Sequence, residues 1–302
     1  MNKLKVLDLF SGIGSWTLGM DRTGGYETIA FCEIDKHARN VISKHYPNIP
    51  IFTDIKELGY THIYDGEAFL HHINPKTGKP LLEVFSPQID VITASFPCTD
   101  LSIAGKQKGL VDEEGNPTRS GLWFETARLI RQIKPRFVLI ENVANLLKLG
   151  FDQVLSDLSS LGYICEWHVI RATDVGLPHQ RERLFIIAHT GEFRRDECIG
   201  EERYIQTDKE RSSKEIYPEG TECIAESKQI RPLLSARTFE SFRASNSGRA
   251  TALSGIRRVT DGIPTGIYEA HRRQRIKQLG NAIIPDIAHI IGQAILDRLN
   301  ET

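Results

Sequence analysis

Short apolar runs alternate with longer amphipathic stretches along the first 190 residues of the chain. "KVLDLF" (5–10), "YETIAFCEID" (26–35), "DVITASF" (90–96), "RFVLIENV" (136–143) and "RLFIIAH" (183–189) are short and rich in Val, Ile, Leu and Phe, so each predicts a strand. Between them, residues 15–22, "KHARNVISKHY" (36–46), "GLWFETARLIRQI" (121–133) and "FDQVLSDLSSLGY" (151–163) carry apolar residues at helical spacing. The second of these stops at Pro47 and the last at Gly162, both helix-ending residues. Strand and helix alternating at this rhythm predict an α/β fold, a mostly parallel sheet with helices on both faces.

Two stretches break the rhythm. Residues 57–88 contain "LHHINPKTGKPLLEV", two apolar arms around turn chemistry, which predicts an inserted hairpin. Residues 190–256 show no strong period and are rich in Ser, Thr, Glu, Arg and Gly, which predicts either a small separate domain or a mobile insertion. The chain then ends in "PDIAHIIGQAILDRL" (285–299). There Ile287, Ile290, Ile291, Ala294, Ile295 and Leu299 share one helical face, with Pro285 where a helix can begin. The expected organisation is a large domain over 1–189, a small region over 190–275, and a segment over 276–302 that folds back on the large domain.

Composition narrows the class. Of 302 residues, 40% are hydrophobic and 25% charged, ordinary values for a soluble core. No run approaches the roughly 18 apolar residues of a membrane helix, and "MNKLKVLDLF" reads as a first strand rather than a secretion signal. Cys32, Cys98, Cys165, Cys198 and Cys223 are scattered with no C-x-x-C pair, so neither a disulfide framework nor a metal site is expected. A reducing, cytoplasmic compartment is expected instead. Net charge is −1, but it is unevenly spread: Glu192 to Ser227 holds six Lys/Arg against eleven Asp/Glu, whereas Lys228 to Arg275 holds ten against three. A polyanion-facing surface and a plain solvated face both account for that basic block.

Candidate chemistry gathers at the predicted strand ends. After the first strand, "DLFSGIGS" places Gly12 and Gly14 for a tight turn and a close ligand approach, but Thr17 stands where the dinucleotide fingerprint needs its third glycine. Glu33, at the tip of the second strand, is placed to accept ribose hydroxyls, and Asp54 in "FTDI" offers a further acceptor. A structural turn explains the glycines taken singly. Together these features describe a nucleoside crevice without a phosphate grip, which suggests S-adenosylmethionine. In "ITASFPCTDLS" (92–102), Cys98 follows a strand end and a proline, as a packed thiol or as a nucleophile. Glu141 ends an apolar strand and is a candidate for a raised pKa. In "QRER" (180–183), Arg181 and Arg183 alternate with Gln180 and Glu182, so both arginines point to one side of an extended segment.

These pieces, in order, resemble the cytosine-C5 DNA methyltransferases. The matching stretches are "DLFSGIG", "EIDKHA", "TDI", "FPCTDLSIAGKQKGL", "RSGLWFE", "IENV", "GLPHQRERLFIIA" and "LGNAIIP", spanning residues 7–285 with 57–88 and 190–256 unmatched. The resemblance implies the family's S-adenosylmethionine-dependent, Rossmann-like methyltransferase fold. Residues 1–189 would be catalytic and cofactor-binding, and 190–275 a target-recognition region. It implies Cys98 as the nucleophile on C6 of cytosine, Glu141 at N3 and the exocyclic amine, Arg183 at the O2 side and Arg181 supporting the same site. For the cofactor it implies Phe10 and Ile34 beside the adenine, Ser11, Gly12 and Gly14 along the methionine portion, Glu33 at the ribose and Asp54 at the adenine amine. Pro97, Leu122 and Asn281 would complete the pocket, and S-adenosylhomocysteine would be the product.

A cytosine in a duplex must be swung out to reach such a site. The segment after Cys98 resembles the family's mobile loop, with Ser102, Lys106 and Lys108 as DNA contacts. Arg231, Arg237, Arg243, Arg249, Arg257 and Arg258 are candidates for phosphate contact and base reading. For 57–88, an auxiliary DNA contact through His71, His72, Lys76 and Lys79 and a mere edge decoration both stay open. As strand neighbours, the two histidines are not a metal pair. The resemblance implies double-stranded DNA as partner, a monomer, no membrane association and no obligate protein partner. It is to restriction-modification and to phage or prophage enzymes, so a cognate restriction endonuclease is a candidate companion. An RNA (tRNA) cytosine-C5 methyltransferase and a non-catalytic DNA-binding regulator are the alternatives, and intact Cys98, Glu141, Arg181 and Arg183 oppose the second.

Overall fold

A computed structural model describes residues 2–62, 68–73, 80–85, 88–101, 108–178, 180–191, 233–245, 278–279 and 281–301. Its centre is a seven-stranded sheet made of β1 (Leu4–Leu9), β2 (Tyr26–Cys32), β3 (Ile51–Phe52), β7 (Val91–Ala94), β8 (Phe137–Val143), β9 (Ile164–Arg171) and β10 (Glu182–His189), in the order β3-β2-β1-β7-β8-β10-β9. The β1–β2, β2–β3, β1–β7 and β7–β8 pairings are parallel. β10 pairs antiparallel with both β8 and β9, so it alone runs against the other strands. That reversal matters for function, because the N-terminal end of β10 lies at the same sheet edge as the C-terminal ends of β1, β2, β7 and β8. Strand order switches direction at β1 and β7, the place where open α/β sheets leave a crevice for ligands.

Strand alternation sends side chains to two cores. Leu7, Leu9, Ile92, Ala94, Val138, Ile140, Leu184 and Ile186 face one side, against Leu129 and Ile130 of α3 (Trp123–Ile133) and Val154 and Leu158 of α4 (Phe151–Ser160). Val6, Val91, Phe137, Leu139, Phe185 and Ile187 face the other. There they meet Trp16 and Met20 of α1 (Ser15–Asp21) and Ile287, Ile291 and Ile295 of a C-terminal helix, Pro285–Asn300. Helices therefore cover both faces, and the apolar stripe read along 285–299 is the stripe that is buried. α2 (Lys36–His45) follows β2 and is capped by Asp35, whose carboxylate accepts from the amides of His37 and Ala38.

The C-terminal helix lies against α1 at backbone distance. A Cβ at Gly19 would come within 2.3 Å of the Pro285 carbonyl oxygen and 2.5 Å of Ala288 Cβ. Tyr26 Oη donates to the Gly292 carbonyl at 2.8 Å, and Arg22 pairs with Asp286 at 2.8 Å.

β4 (Leu58–His62), β5 (Ala68–Ile73) and β6 (Pro80–Phe85) form a separate antiparallel three-stranded sheet within 57–88. The two arms around "NPKTGK" pair as β5 and β6, and β4 adds a third strand. Leu58, Tyr60, Ala68 and Leu70 bury themselves in the first core, and Arg128 of α3 donates to the carbonyls of Ile55 and Leu58 at 2.9 Å each. His71 bonds Thr61, and His72 pairs with Glu57. Lys76 and Lys79 lie outside the described residues.

β9 escaped the sequence pattern. "ICEWHVIR" has no long apolar run, because β9 is the sheet's edge strand and stays partly exposed. Within 190–275 the described part is 190–191 and 233–245, which includes α5 (Ala236–Ser245). Leu233, Leu234, Phe239 and Phe242 join the second core, and Phe242 contacts the His289 ring of the C-terminal helix, called α6 below.

Candidate active site

The cofactor-side residues sit on the tips of β1, β2 and β3. β1 leaves its strand geometry at Phe10, whose φ of +54° is rare for a bulky L-residue and costs about 1–3 kcal/mol. Gly12 (φ +56°) and Gly14 (φ +80°) complete the turn into α1. Ser11 ties it down: its Oγ donates to the Asp8 carbonyl at 2.5 Å and its amide to the Cys32 carbonyl at 3.2 Å. Glu33 then grips the turn from β2, accepting the Gly12 amide on Oε2 at 2.8 Å and the Asp35 amide on Oε1 at 2.7 Å. Burial pushes the Glu33 carboxyl above its usual range, opposed by those two amides.

Two carboxylate oxygens offer about four acceptor sites, so two amide bonds leave capacity for ligand hydroxyls. Beside Glu33, Ile34 is 70% exposed, an apolar surface held open at the crevice mouth. Asp54, past β3, accepts the Lys56 amide at 3.0 Å. An open glycine turn, an exposed aliphatic face and two acidic acceptors could hold a nucleoside.

Asp8 supports this floor, and sequence reading passed over it. It is fully buried; Thr93 Oγ1 donates to its Oδ1 at 2.8 Å and Thr17 Oγ1 to its Oδ2 at 3.0 Å. Burial pushes its carboxyl up to about 7. The available signal was one Asp inside the apolar run "KVLDLF".

The chemical side is built where β7, β8 and β10 meet. Phe96 is buried against Trp123, with ring centroids 5.8 Å apart, and its carbonyl accepts Asn142 Nδ2 at 3.1 Å. Pro97 and Cys98 follow, both half-buried, and Cys98 O accepts the Leu101 amide at 3.0 Å. Asp100 anchors the next turn: its Oδ2 accepts the Arg119 amide at 3.1 Å, and its own amide donates to Ser120 Oγ at 3.2 Å. Leu122 lies at the end of the short 3-10 turn that begins at Ser120, half-buried against the first core.

Glu141, 5% exposed, stands on β8 with its Oε1 at 3.0 Å from Arg183 Nε of β10. Burial raises its pKa, while Arg183, Arg181 and a hydrogen bond from Ser95 oppose the rise. The Cys98 thiol is raised first by burial and then by the charge of Glu141, and is pulled down by Arg183 and Arg181. Thiol, carboxyl and both guanidiniums thus share one electrostatic neighbourhood. Arg181 also donates to the Ala282 carbonyl at 2.7 Å, which ties the C-terminal "GNAIIP" segment, and so the exposed Asn281, to this crevice.

Of the candidate DNA contacts, Lys108 is exposed, and Arg243 is exposed on α5. Arg237 belongs to α5, but its side chain lies outside the described residues. Ser102, Lys106, Arg231, Arg249, Arg257 and Arg258 lie outside them altogether. Among the described residues no cluster of His, Cys, Asp and Glu could hold a metal, and no helix is long and apolar enough to cross a membrane.

Residues 4–260 match the family described as C-5 cytosine-specific DNA methylase. Among curated proteins, the type II methyltransferase M.Bsp6I of Bacillus sp. (strain RFL6) is 32% identical over 191 residues, covering 61% of this chain and 51% of its own length. M.HhaI of Haemophilus parahaemolyticus is 31% identical over 188 residues, covering 61% and 48%. The chain spans about half the length of these relatives. Among solved structures, the Entamoeba histolytica methyltransferase EhMeth is similar with a TM-score of 0.46 at 20% identity, over 67% of this chain and 58% of that one. The matched range includes the glycine turn, Glu33, Cys98, Glu141 and both arginines, and the chain belongs to the C-5 cytosine-specific DNA methylase family.

Proposed function

We propose that the protein is a DNA (cytosine-5)-methyltransferase acting on a cytosine swung out of double-stranded DNA, through a covalent bond between Cys98 and C6. One observation carries this reading: Glu141 of β8 and Arg183 of β10 meet at 3.0 Å at the strand ends beside Cys98 and the glycine turn. Bound against that turn, S-adenosylmethionine supplies an electrophilic methyl group. Phe10, Ser11, Gly12, Gly14, Glu33, Ile34, Asp54, Pro97, Leu122 and Asn281 are the residues proposed to hold it.

The chain's own groups then do the following. Cys98 attacks C6 as a thiolate, the reactive form of a thiol. Attack places electron density on C5 and N3, and Glu141 manages the proton at N3, a role suited to a carboxyl with a raised pKa. The sign of the coupling helps. While Glu141 is protonated it puts no negative charge beside Cys98, so the two arginines favour the thiolate, and as the bond from sulfur to C6 forms the carboxyl's proton passes to N3. Arg183 steadies Glu141 and offers donors to the O2 side of the base. Removal of the C5 proton and departure of the Cys98 thiolate restore the enzyme. Target reading is assigned to 190–275, with the arginines between Arg231 and Arg258 as its cations.

Methylation sequencing of DNA from cells expressing the full chain tests this reading. The expected result is 5-methylcytosine in one fixed sequence context, absent with Cys98→Ala. Methylation of tRNA alone, or a mark that survives Cys98→Ala, would overturn it.

A further inference from the structure

The backbone around Cys98 is gripped on both sides by side-chain amides from one strand end. Asn142, next to the last residue of β8, donates from Nδ2 to the Phe96 carbonyl at 3.1 Å, two residues before Cys98. Its Oδ1 accepts the Val143 amide at 2.8 Å, so the side chain has one orientation: turned over, it loses both bonds. Asn145 lies in the short 3-10 turn, Ala144–Lys148, that follows β8. Its Nδ2 donates to the Leu101 carbonyl at 2.6 Å, three residues after Cys98.

Between these two anchors the backbone is turned in on itself. The Cys98 carbonyl accepts the Leu101 amide at 3.0 Å, which closes a turn over residues 98–101. Leu101 is fully buried in the first core, where Leu146, the neighbour of Asn145, also packs. The peptide groups of Leu101 are thus held by the Cys98 carbonyl on one side and by Asn145 on the other. Glu141 directly precedes Asn142. The end of β8 therefore carries the carboxyl and, through the 3-10 turn behind it, also holds the turn that carries the thiol.

We propose that Asn145 is a positioning residue for Cys98: by holding the Leu101 carbonyl it fixes the Cys98 turn, and with it the thiol, relative to Glu141. The proposal rests on the reading of Cys98 as the nucleophile. Asn145 carries no charge and does not titrate, so it acts through the backbone turn and not through the thiol's protonation. Pro97 lies on the Phe96 side of the turn, where Asn142 stays in place, so the cofactor side is unaffected when Asn145 is changed. One net hydrogen bond corresponds to about tenfold, and misplacing a reacting atom by about 1 Å costs about a hundredfold in rate.

Single-turnover methyl transfer by the full chain tests this, with enzyme in excess over DNA carrying the sequence context methylated in cells and with S-adenosylmethionine saturating. Asn145→Ala is expected to slow transfer by about ten- to a hundredfold, with S-adenosylmethionine affinity, followed by calorimetry, as in the unaltered protein. Asn145→Asp keeps the size of the side chain and, when ionised, has no proton for the Leu101 carbonyl. It is expected to be at least as slow as Asn145→Ala, which separates the lost donor from lost packing. An unslowed Asn145→Asp, or a loss of S-adenosylmethionine affinity that matches the loss of rate, would overturn the proposal. Cys98→Ala separates the layers. If it is inactive while Asn145→Asp is unslowed, only the positioning role fails; if it transfers methyl at full rate, the role of Cys98 fails first.

Discussion

Arg183 meets Glu141 diagonally across the β8–β10 ladder, where Arg183 opposes Val143 and Phe185 opposes Glu141, with Nε and Oε1 3.0 Å apart. The pairing exists because β10 runs against its neighbours, so its first residues lie beside the last residues of β8. It neutralises a carboxyl that is almost fully buried and brings a second cation near Cys98. In Arg183→Ala that carboxyl loses its closest positive charge. The expected outcome is a loss of methyl transfer of at least about a hundredfold and a stability decrease of about 1–3 kcal/mol, measured by urea unfolding. With the Glu141 pKa raised further, the stability deficit should grow as pH rises through that pKa. Arg183→Lys, which restores charge without the planar donor fork, should recover stability better than activity.

Glu33 makes a different kind of contact, holding its own loop through the Gly12 and Asp35 amides. In Glu33→Gln one of its two oxygens becomes a donor, facing either the Gly12 or the Asp35 amide. S-adenosylmethionine binding, followed by calorimetry on the full chain, should weaken at least about tenfold. Cys98→Ala should bind it as the unaltered protein does. Equal binding by Glu33→Gln would remove Glu33 from the cofactor site.

Asp8 sets a pH dependence with a definite sign. Its folded carboxyl lies near 7, above its ordinary value of 3.8, so the folded state holds the proton more tightly than the unfolded chain. The stability linked to that proton is complete below about 3.8 and is lost as pH rises to about 7. Glu33 and Glu141, also raised by burial, act in the same direction. Urea midpoints should fall between pH 5.5 and pH 8, and Asp8→Asn, which remains neutral, should flatten that fall. A steeper fall in Asp8→Asn would contradict this assignment.

Gly19 is where α6 touches α1. Glycine inside a helix ordinarily costs about 0.5–1 kcal/mol relative to alanine, so Gly19→Ala would stabilise an isolated helix. Here the new methyl meets the Pro285 carbonyl oxygen at 2.3 Å. Overpacking of that kind costs about 1–3 kcal/mol and wins. The melting temperature should drop by several degrees, and S-adenosylmethionine affinity should weaken as well, because displacing α6 moves Asn281. A rise in melting temperature would contradict the close approach.

The parts legible in sequence were those that act through local pattern. Central strands such as "RFVLIENV" are apolar throughout because both faces are covered, and the α6 stripe repeats at helical spacing. The glycine turn, Glu33, Cys98, Glu141 and the arginines carry motifs of their own. β9 was not legible because an edge strand needs no continuous apolar run. Asp8 was not legible because it is held by a partner far away in the chain, Thr93, 85 positions on. The bond from Arg181 to the Ala282 carbonyl, across 101 positions, belongs to the same class. Nothing in local composition announces such a contact; only the sheet order brings the two ends together.

The central claim is that Cys98 bonds covalently to a cytosine, and trapping that bond tests it most directly. The full chain would be incubated with S-adenosylmethionine and DNA bearing 5-fluorocytosine, whose fluorine prevents the final release, and the adduct mapped by mass spectrometry. The predicted result is one stable adduct on the peptide containing Cys98, absent in Cys98→Ala and weak in Glu141→Gln. An adduct on Cys32 or Cys165, or methyl transfer that proceeds without any adduct, would contradict it.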